Sequence, residues 1–133
     1  MIARFRLDHL ENSHSRVFGR LAKLAAAPGA WGDAYVQADV ATIAYTVYDR
    51  SGLAVTGHNN VSLVVADVIS NSLIGWPIDD RGYNFFHVIT PDAFPANAGR
   101  RVAVYTFTLS AALGNTVAKL IFDHRVFREL DPT

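Results

Sequence analysis

Side chains that change character at every second residue constrain this chain more than any other feature of its sequence. Between Val102 and Leu109 the set Val102, Val104, Thr106 and Thr108 interleaves with Ala103, Tyr105, Phe107 and Leu109. Successive side chains on an extended strand point to opposite faces, so one set is buried and the other left outward. The set carrying Tyr105, Phe107 and Leu109 is the expected core face. Val117 to Val126 repeats the pattern through Ala118, Leu120, Phe122 and Val126, with His124 between them. Gly114-Asn115 supplies the connection, and together the two segments read as a hairpin.

Ala41 to Tyr48 is the third clear strand, with Ile43, Tyr45 and Val47 on one face and Thr42, Thr46 and Tyr48 on the other. Asp49-Arg50-Ser51-Gly52 follows as a turn. Val61 to Val65 is expected to be the next strand. From Asp67 to Ile74 two readings stand: one short helical turn with Ile69 and Leu73 inward, or a continuation of the strand. Pro77 ends whatever precedes it, because it has no backbone donor. Asp79-Asp80-Arg81-Gly82 has the composition of a turn, Tyr83 to Ile89 that of a strand, and Pro95 to Gly99 that of a loop. In the first third, Ser15 to Leu24 reads as a strand with Val17 and Leu21 inward, although Arg20 to Ala27 also suits a helix. Ala25 to Ala30 reads as a loop.

Short alternating strands separated by turn residues specify an all-β, antiparallel sandwich with room for one short helix. A chain of 133 residues supports one core. Residues 15–133 form the sandwich, and residues 1–14 are expected to be an N-terminal arm carrying Ile2, Phe5, Leu7 and Leu10. Apolar residues make up 50% of the chain and charged residues 18%, against about 25% charged in ordinary domains. So little charge fits either a surface covered by partners or a small, well-packed domain.

Composition also limits function. Twelve basic and twelve acidic residues cancel, so the global field that draws proteins to nucleic acid is missing. Without cysteine there is neither a disulfide nor a thiolate metal site. No run resembles a signal peptide or reaches the ~20 apolar residues of a membrane span, and assembly from a cytoplasmic pool is expected.

Catalytic signatures are missing as well: no nucleophile elbow, phosphate loop or dinucleotide fingerprint occurs. Five histidines, His9, His14, His58, His87 and His124, lack the spacing of a zinc site. His87 and His124 are placed to approach Asp79 or Asp123 in space, which leaves a metal or acid-base site as one reading and ordinary core histidine as the other. Asp79 and Asp80 are neighbours in a turn and are not expected to face each other as glycosidase carboxylates do. Trp76, Tyr83, Phe85, Phe86 and Phe94 suit either core packing or a sugar-stacking surface. Phe85 and Phe86 are consecutive on a strand, so one of them faces away from the core, and an apolar ring left there marks an interface.

Tyr45-Thr46-Val47-Tyr48-Asp49, then Trp76-Pro77-Ile78-Asp79, Gly82-Tyr83-Asn84-Phe85-Phe86-His87 and Val104-Tyr105-Thr106-Phe107-Thr108, resemble small immunoglobulin-like β-sandwich proteins encoded among bacteriophage and prophage structural genes. The likeness spans about Val36 to Val126. It departs at Val102, where those proteins often carry an aromatic, and in the N-terminal third. The resemblance implies a structural protein of a bacteriophage virion, either a capsid decoration or cement protein or a neck or tail component. It further implies a homo-oligomer that contacts other virion structural proteins and brings no catalytic residues with it; no cofactor and, from the charge balance and the lack of a long apolar run, no nucleic-acid or membrane partner is expected. The interface residues expected for that role are Ile2, Phe5, Leu7, Leu10, Trp76, Tyr83 and Phe86. The alternative is a carbohydrate- or host-surface-binding module built on Trp76 and Tyr83.

Overall fold

A computed structural model describes residues 2–23, 33–76 and 79–128 of the chain. Among the described residues there are eight strands: β1 (Ile2–Leu10), β2 (Ser15–Gly19), β3 (Val40–Tyr48), β4 (Val61–Leu63), β5 (Ile69–Trp76), β6 (Asp79–Ile89), β7 (Arg100–Leu109) and β8 (Val117–Phe127). One turn of helix, α1 (Val65–Val68), separates β4 from β5. The strands form a five-stranded sheet in the order β1-β8-β7-β3-β4 and a three-stranded sheet in the order β2-β6-β5.

The two sheets face each other across a core that the period-two pattern prescribes. Ala103, Tyr105, Phe107 and Leu109 of β7 and Ala118, Leu120 and Phe122 of β8 are all buried, as are Ile43, Tyr45 and Val47 of β3. Val17, Leu21, Phe85 and Ile89 meet them from the opposite side. Phe85 is the wedge between the layers, its ring centroid 4.9 Å from that of Tyr105 and 5.3 Å from that of Phe107, both edge to face. The predicted β7–β8 hairpin forms in antiparallel register, Thr108 opposite Val117 through Arg100 opposite Arg125. The turn after β3 also forms: Gly52 N–H bonds to Asp49 O at 3.0 Å, and the Asp49 carboxylate accepts from Ser51 N–H.

Several expectations are corrected. Residues 2–10 are not a detached arm but the strand β1, paired with β8. That pairing is parallel, so the domain is not purely antiparallel. The reason lies in the alternation of β1 itself: Ala3, Phe5 and Leu7 pack against the core, while Arg4, Arg6 and Asp8 face outward. The strand beginning at Val61 stops at Leu63, because Val65 opens α1. The helical turn therefore starts before Asp67 and takes in only Asp67 and Val68 of the stretch from Asp67 to Ile74, the rest of which is β5; Ile69 is buried, but Leu73 is exposed. Asp79–Gly82 belongs to β6 rather than to a turn, with Trp76 paired to Asp79 and Ile74 to Tyr83. Four residues of β6 thus span two of β5, and the irregularity centres on Gly82 at φ +104°. A Cβ there would lie 2.3 Å from the Ile74 carbonyl oxygen, so only glycine fits. The expected effect of Pro77, the loop from Ala25 to Ala30 and most of the helical reading from Arg20 to Ala27 lie outside the described residues.

Candidate functional site

Buried polar groups were the first candidates for chemistry. Asn84 is 1% exposed, and its amide is fully used: Oδ1 accepts from Leu21 N–H at 2.7 Å, while Nδ2 donates to Leu21 O and Tyr35 O, each at 2.9 Å. It therefore acts as a side-chain substitute for sheet pairing where β2 has ended. His124 is likewise buried. Its Nδ1 donates to Phe122 O at 3.0 Å, which leaves Nε2 to accept the Ser15 hydroxyl at 2.6 Å. Burial, with His9 nearby, pushes the imidazole down to about 4, so it is neutral at physiological pH.

A second polar chain crosses the core from the loop after β6. Thr90 Oγ1 bonds to Asp92, Asp92 Oδ2 accepts from His58 Nε2 at 3.1 Å, and His58 Nδ1 meets Tyr45 OH at 2.8 Å. Tyr45 stacks on Tyr105, whose hydroxyl lies 2.6 Å from His87 Nδ1. The sequence of groups resembles a proton relay, but its electrostatics oppose nucleophilic use. Burial raises both tyrosines above their ordinary values, so neither supplies a phenolate at neutral pH. Burial, with His58 close by, also lowers His87 to about 4. The chain thus satisfies buried groups.

The proposed approach of His124 to Asp123 is contradicted by strand parity. His124 faces the core, while Asp123 faces outward and bonds bidentately to Arg100, Nε at 2.9 Å and Nη2 at 2.7 Å. That pairing holds the Asp123 carboxyl below its usual range. His87 is bound to Tyr105 on another strand, and the side chain of Asp79 lies outside the described residues. Among the described residues, no cluster of three metal-ligating side chains occurs, and no helix is long and apolar enough to cross a membrane.

Two surfaces remain. The first is a shallow groove of about 310 Å³ beside β5 and β6, lined by Ile74, Tyr83 and Phe86 with Asp67, Ser70 and Asn71 on its polar rim. Here the structure brings together two of the expected interface residues, Tyr83 and Phe86, and packs Phe18 against both, edge-on to Tyr83 and tilted against Phe86. Phe86 is the ring of the consecutive pair that turns away from the core, and Phe85 the one that enters it. The side chain of Trp76 lies outside the described residues.

The second surface is the outer face of the five-stranded sheet. The four apolar residues expected on an arm are divided by parity: Phe5 and Leu7 pack inward, Phe5 with its ring 5.2 Å from Phe122, whereas Ile2 and Leu10 are exposed. Nine large hydrophobics are exposed among the described residues, and five of them, Ile2, Leu10, Tyr48, Val117 and Phe127, lie on this one face. Sequence reading missed Tyr48, Val117 and Phe127 as surface candidates, although the outward register of β3 and β8 contained the signal.

Arg4, Arg6, Arg100 and Arg125 share that face. The Arg125 guanidinium sits 5.0 Å above the Phe127 ring, and Arg4 approaches Asp123 at 3.8 Å. A cleft of about 320 Å³ opens among Arg6, Leu7, Asp8, Arg100, Asp123 and Arg125. Comparison with known proteins gave no matching family model, no matching curated protein and no matching solved structure.

Proposed function

We propose that this chain is a structural, non-enzymatic subunit of a bacteriophage virion, serving as a capsid decoration or cement protein or as a neck or tail component. The observation that carries the reading is that Ile2, Leu10, Tyr48, Val117 and Phe127 are all exposed on one sheet face, Ile2 near Val117 at one end and Leu10 opposite Phe127 at the other, with Ile2 73% exposed. Burying such a face against other subunits removes apolar surface from water at about 25 cal/mol per Å², and an interface of this type combines apolar contacts with arginine. Strand order supports the immunoglobulin-like form of the sandwich. β2-β6-β5 against β8-β7-β3-β4 corresponds to strands B-E-D against G-F-C-C′ of the variable-type arrangement. The virion assignment itself rests on the sequence resemblance over Val36 to Val126.

The test is co-expression with the genes that flank its own, followed by sedimentation of the particles formed. The chain is expected to travel with the particle, and Val117→Glu combined with Phe127→Glu to release it without altering its circular dichroism. A wild-type chain that remains wholly in the soluble fraction refutes the reading. The groove at Tyr83 and Phe86 favours a second role, because ring faces beside Asp67, Ser70 and Asn71 offer the stacking and hydrogen bonding that a sugar needs. Glycan-array binding that disappears in Phe86→Ala would establish that role in place of the first.

A further inference from the structure

The outer edge of β1 combines three features that together specify an occupant. β1 is nine residues long and stands at the end of its sheet, with β8 on one side and no described strand on the other. A strand in that position presents backbone donors and acceptors that can template another chain. Its side chains alternate in chemistry: Arg4 and Arg6 project to the outer face, while Ala3 and Leu7 lie half-buried on the inner one.

Charge is unevenly distributed around that edge. The whole chain is neutral, yet the outer face beside β1 carries Arg4, Arg6, Arg100, Lys119 and Arg125 against only Asp8 and Asp123. Asp123 is already committed to Arg100 and Arg4. Of the other charges, Asp8 stands opposite Arg125 and lines the cleft with it and with Arg6, while Lys119 lies opposite Ile2, so the excess is positive at Arg6 and Lys119.

We propose that β1 accepts an added strand from an acidic partner protein, a strand in which carboxylate and apolar residues alternate. Side chains directly across two paired strands stand about 4.5–5.5 Å apart at Cβ. Carboxylates on the outer face of the added strand would therefore lie beside Arg4 and Arg6, and its apolar residues would extend the inner layer over Ala3 and Leu7. Main-chain hydrogen bonds supply the docking and the alternation supplies the selectivity. The proposal rests on the assembly reading above, since it gives that contact surface its partner.

Fluorescence anisotropy tests it with three labelled probes: an eight-residue peptide alternating glutamate and valine, its lysine-valine counterpart, and a short oligothymidylate. The glutamate peptide is expected to bind and the lysine peptide not to. Arg4→Glu combined with Arg6→Glu is expected to weaken the glutamate peptide at least tenfold and to admit the lysine peptide. Both arginines face solvent, and an unchanged circular-dichroism spectrum verifies the fold. N-methylation at alternate residues of the glutamate peptide is expected to abolish binding by removing its backbone donors. The proposal is overturned if the glutamate peptide does not bind, if the charge reversal leaves its affinity unchanged, if the N-methylated form binds equally well, or if oligothymidylate binds more tightly. Should the peptide fail while the chain still sediments with particles, the acidic-strand proposal falls and the assembly reading stands.

Discussion

Phe85 and Phe86 are adjacent on β6 and chemically identical, yet truncating each to alanine should have very different consequences. Phe85 is 0% exposed and wedged against Tyr105, Phe107 and Phe122, with ring centroids at 4.9, 5.3 and 6.3 Å. Those three rings hang from hydrogen-bonded strands and cannot collapse freely into the space left behind. Phe85→Ala loses about 1.5–3 kcal/mol of transfer free energy. A residual cavity of roughly 60–80 Å³ at about 24 cal/mol per Å³ adds about 1.5–2 kcal/mol. The expected total is about 3–5 kcal/mol. Phe86 is half-buried on the outer side, packed on Phe18 at 4.8 Å. Its removal opens no closed cavity and should cost about 1 kcal/mol. Equilibrium urea denaturation of both variants, compared at equal m-values, measures the difference. A Phe86→Ala cost that equals or exceeds that of Phe85→Ala would refute the assignment of which ring joins the two sheets.

The buried histidines should make stability depend on pH in a definite direction. His124 and His87 titrate near 4 in the fold, below the ~6.5 of an unfolded histidine, so between these values the unfolded chain binds more protons. Their contribution is therefore complete above pH 6.5 and is lost as pH falls from 6.5 towards 4. For His124 it is on the order of 3 kcal/mol, at 1.36 kcal/mol per pH unit. Urea midpoints at pH 7.5 and 4.5 should show the loss, and His124→Gln should reduce it; an unchanged pH dependence in that variant contradicts the account. Tyr45→Phe leaves His58 Nδ1 buried without its partner and should cost about 1–3 kcal/mol in the same assay. Asp92→Asn, at a side chain 66% exposed, should cost less than about 1 kcal/mol. A reversed order would show that the polar chain is anchored from its exposed end.

Much of the core could be read from the sequence because β7, β8 and β3 obey a local rule. Once a strand is extended, period two alone decides which side chains share a face, and Tyr105, Phe107, Leu120, Phe122 and Ile43 needed nothing more. Parity failed to guide where apolar residues were grouped by proximity rather than by register: Ile2, Phe5, Leu7 and Leu10 read as one greasy segment, but they occupy two faces. The candidate surface was only partly visible for the same reason. Tyr83 and Phe86 were identified by aromatic character, whereas Val117 and Phe127 were overlooked because an exposed apolar residue on a strand has the same composition as a buried one.

What the sequence determined by itself was therefore the repeated short-range pattern: an all-β chain, its main inward-facing side chains and the turns at Asp49 and Gly114. Tertiary structure alone decided the long-range matters. It paired β1 parallel to β8 across more than a hundred residues, chose Phe85 over Phe86 for the core, linked Asp92 through His58 to Tyr45, and set Arg4, Arg6, Arg100 and Arg125 on one face. Alternation says which residues travel together on a strand, but not which strand lies beside it. That choice depends on the combined burial and hydrogen bonding of the whole domain, which no local stretch of sequence contains.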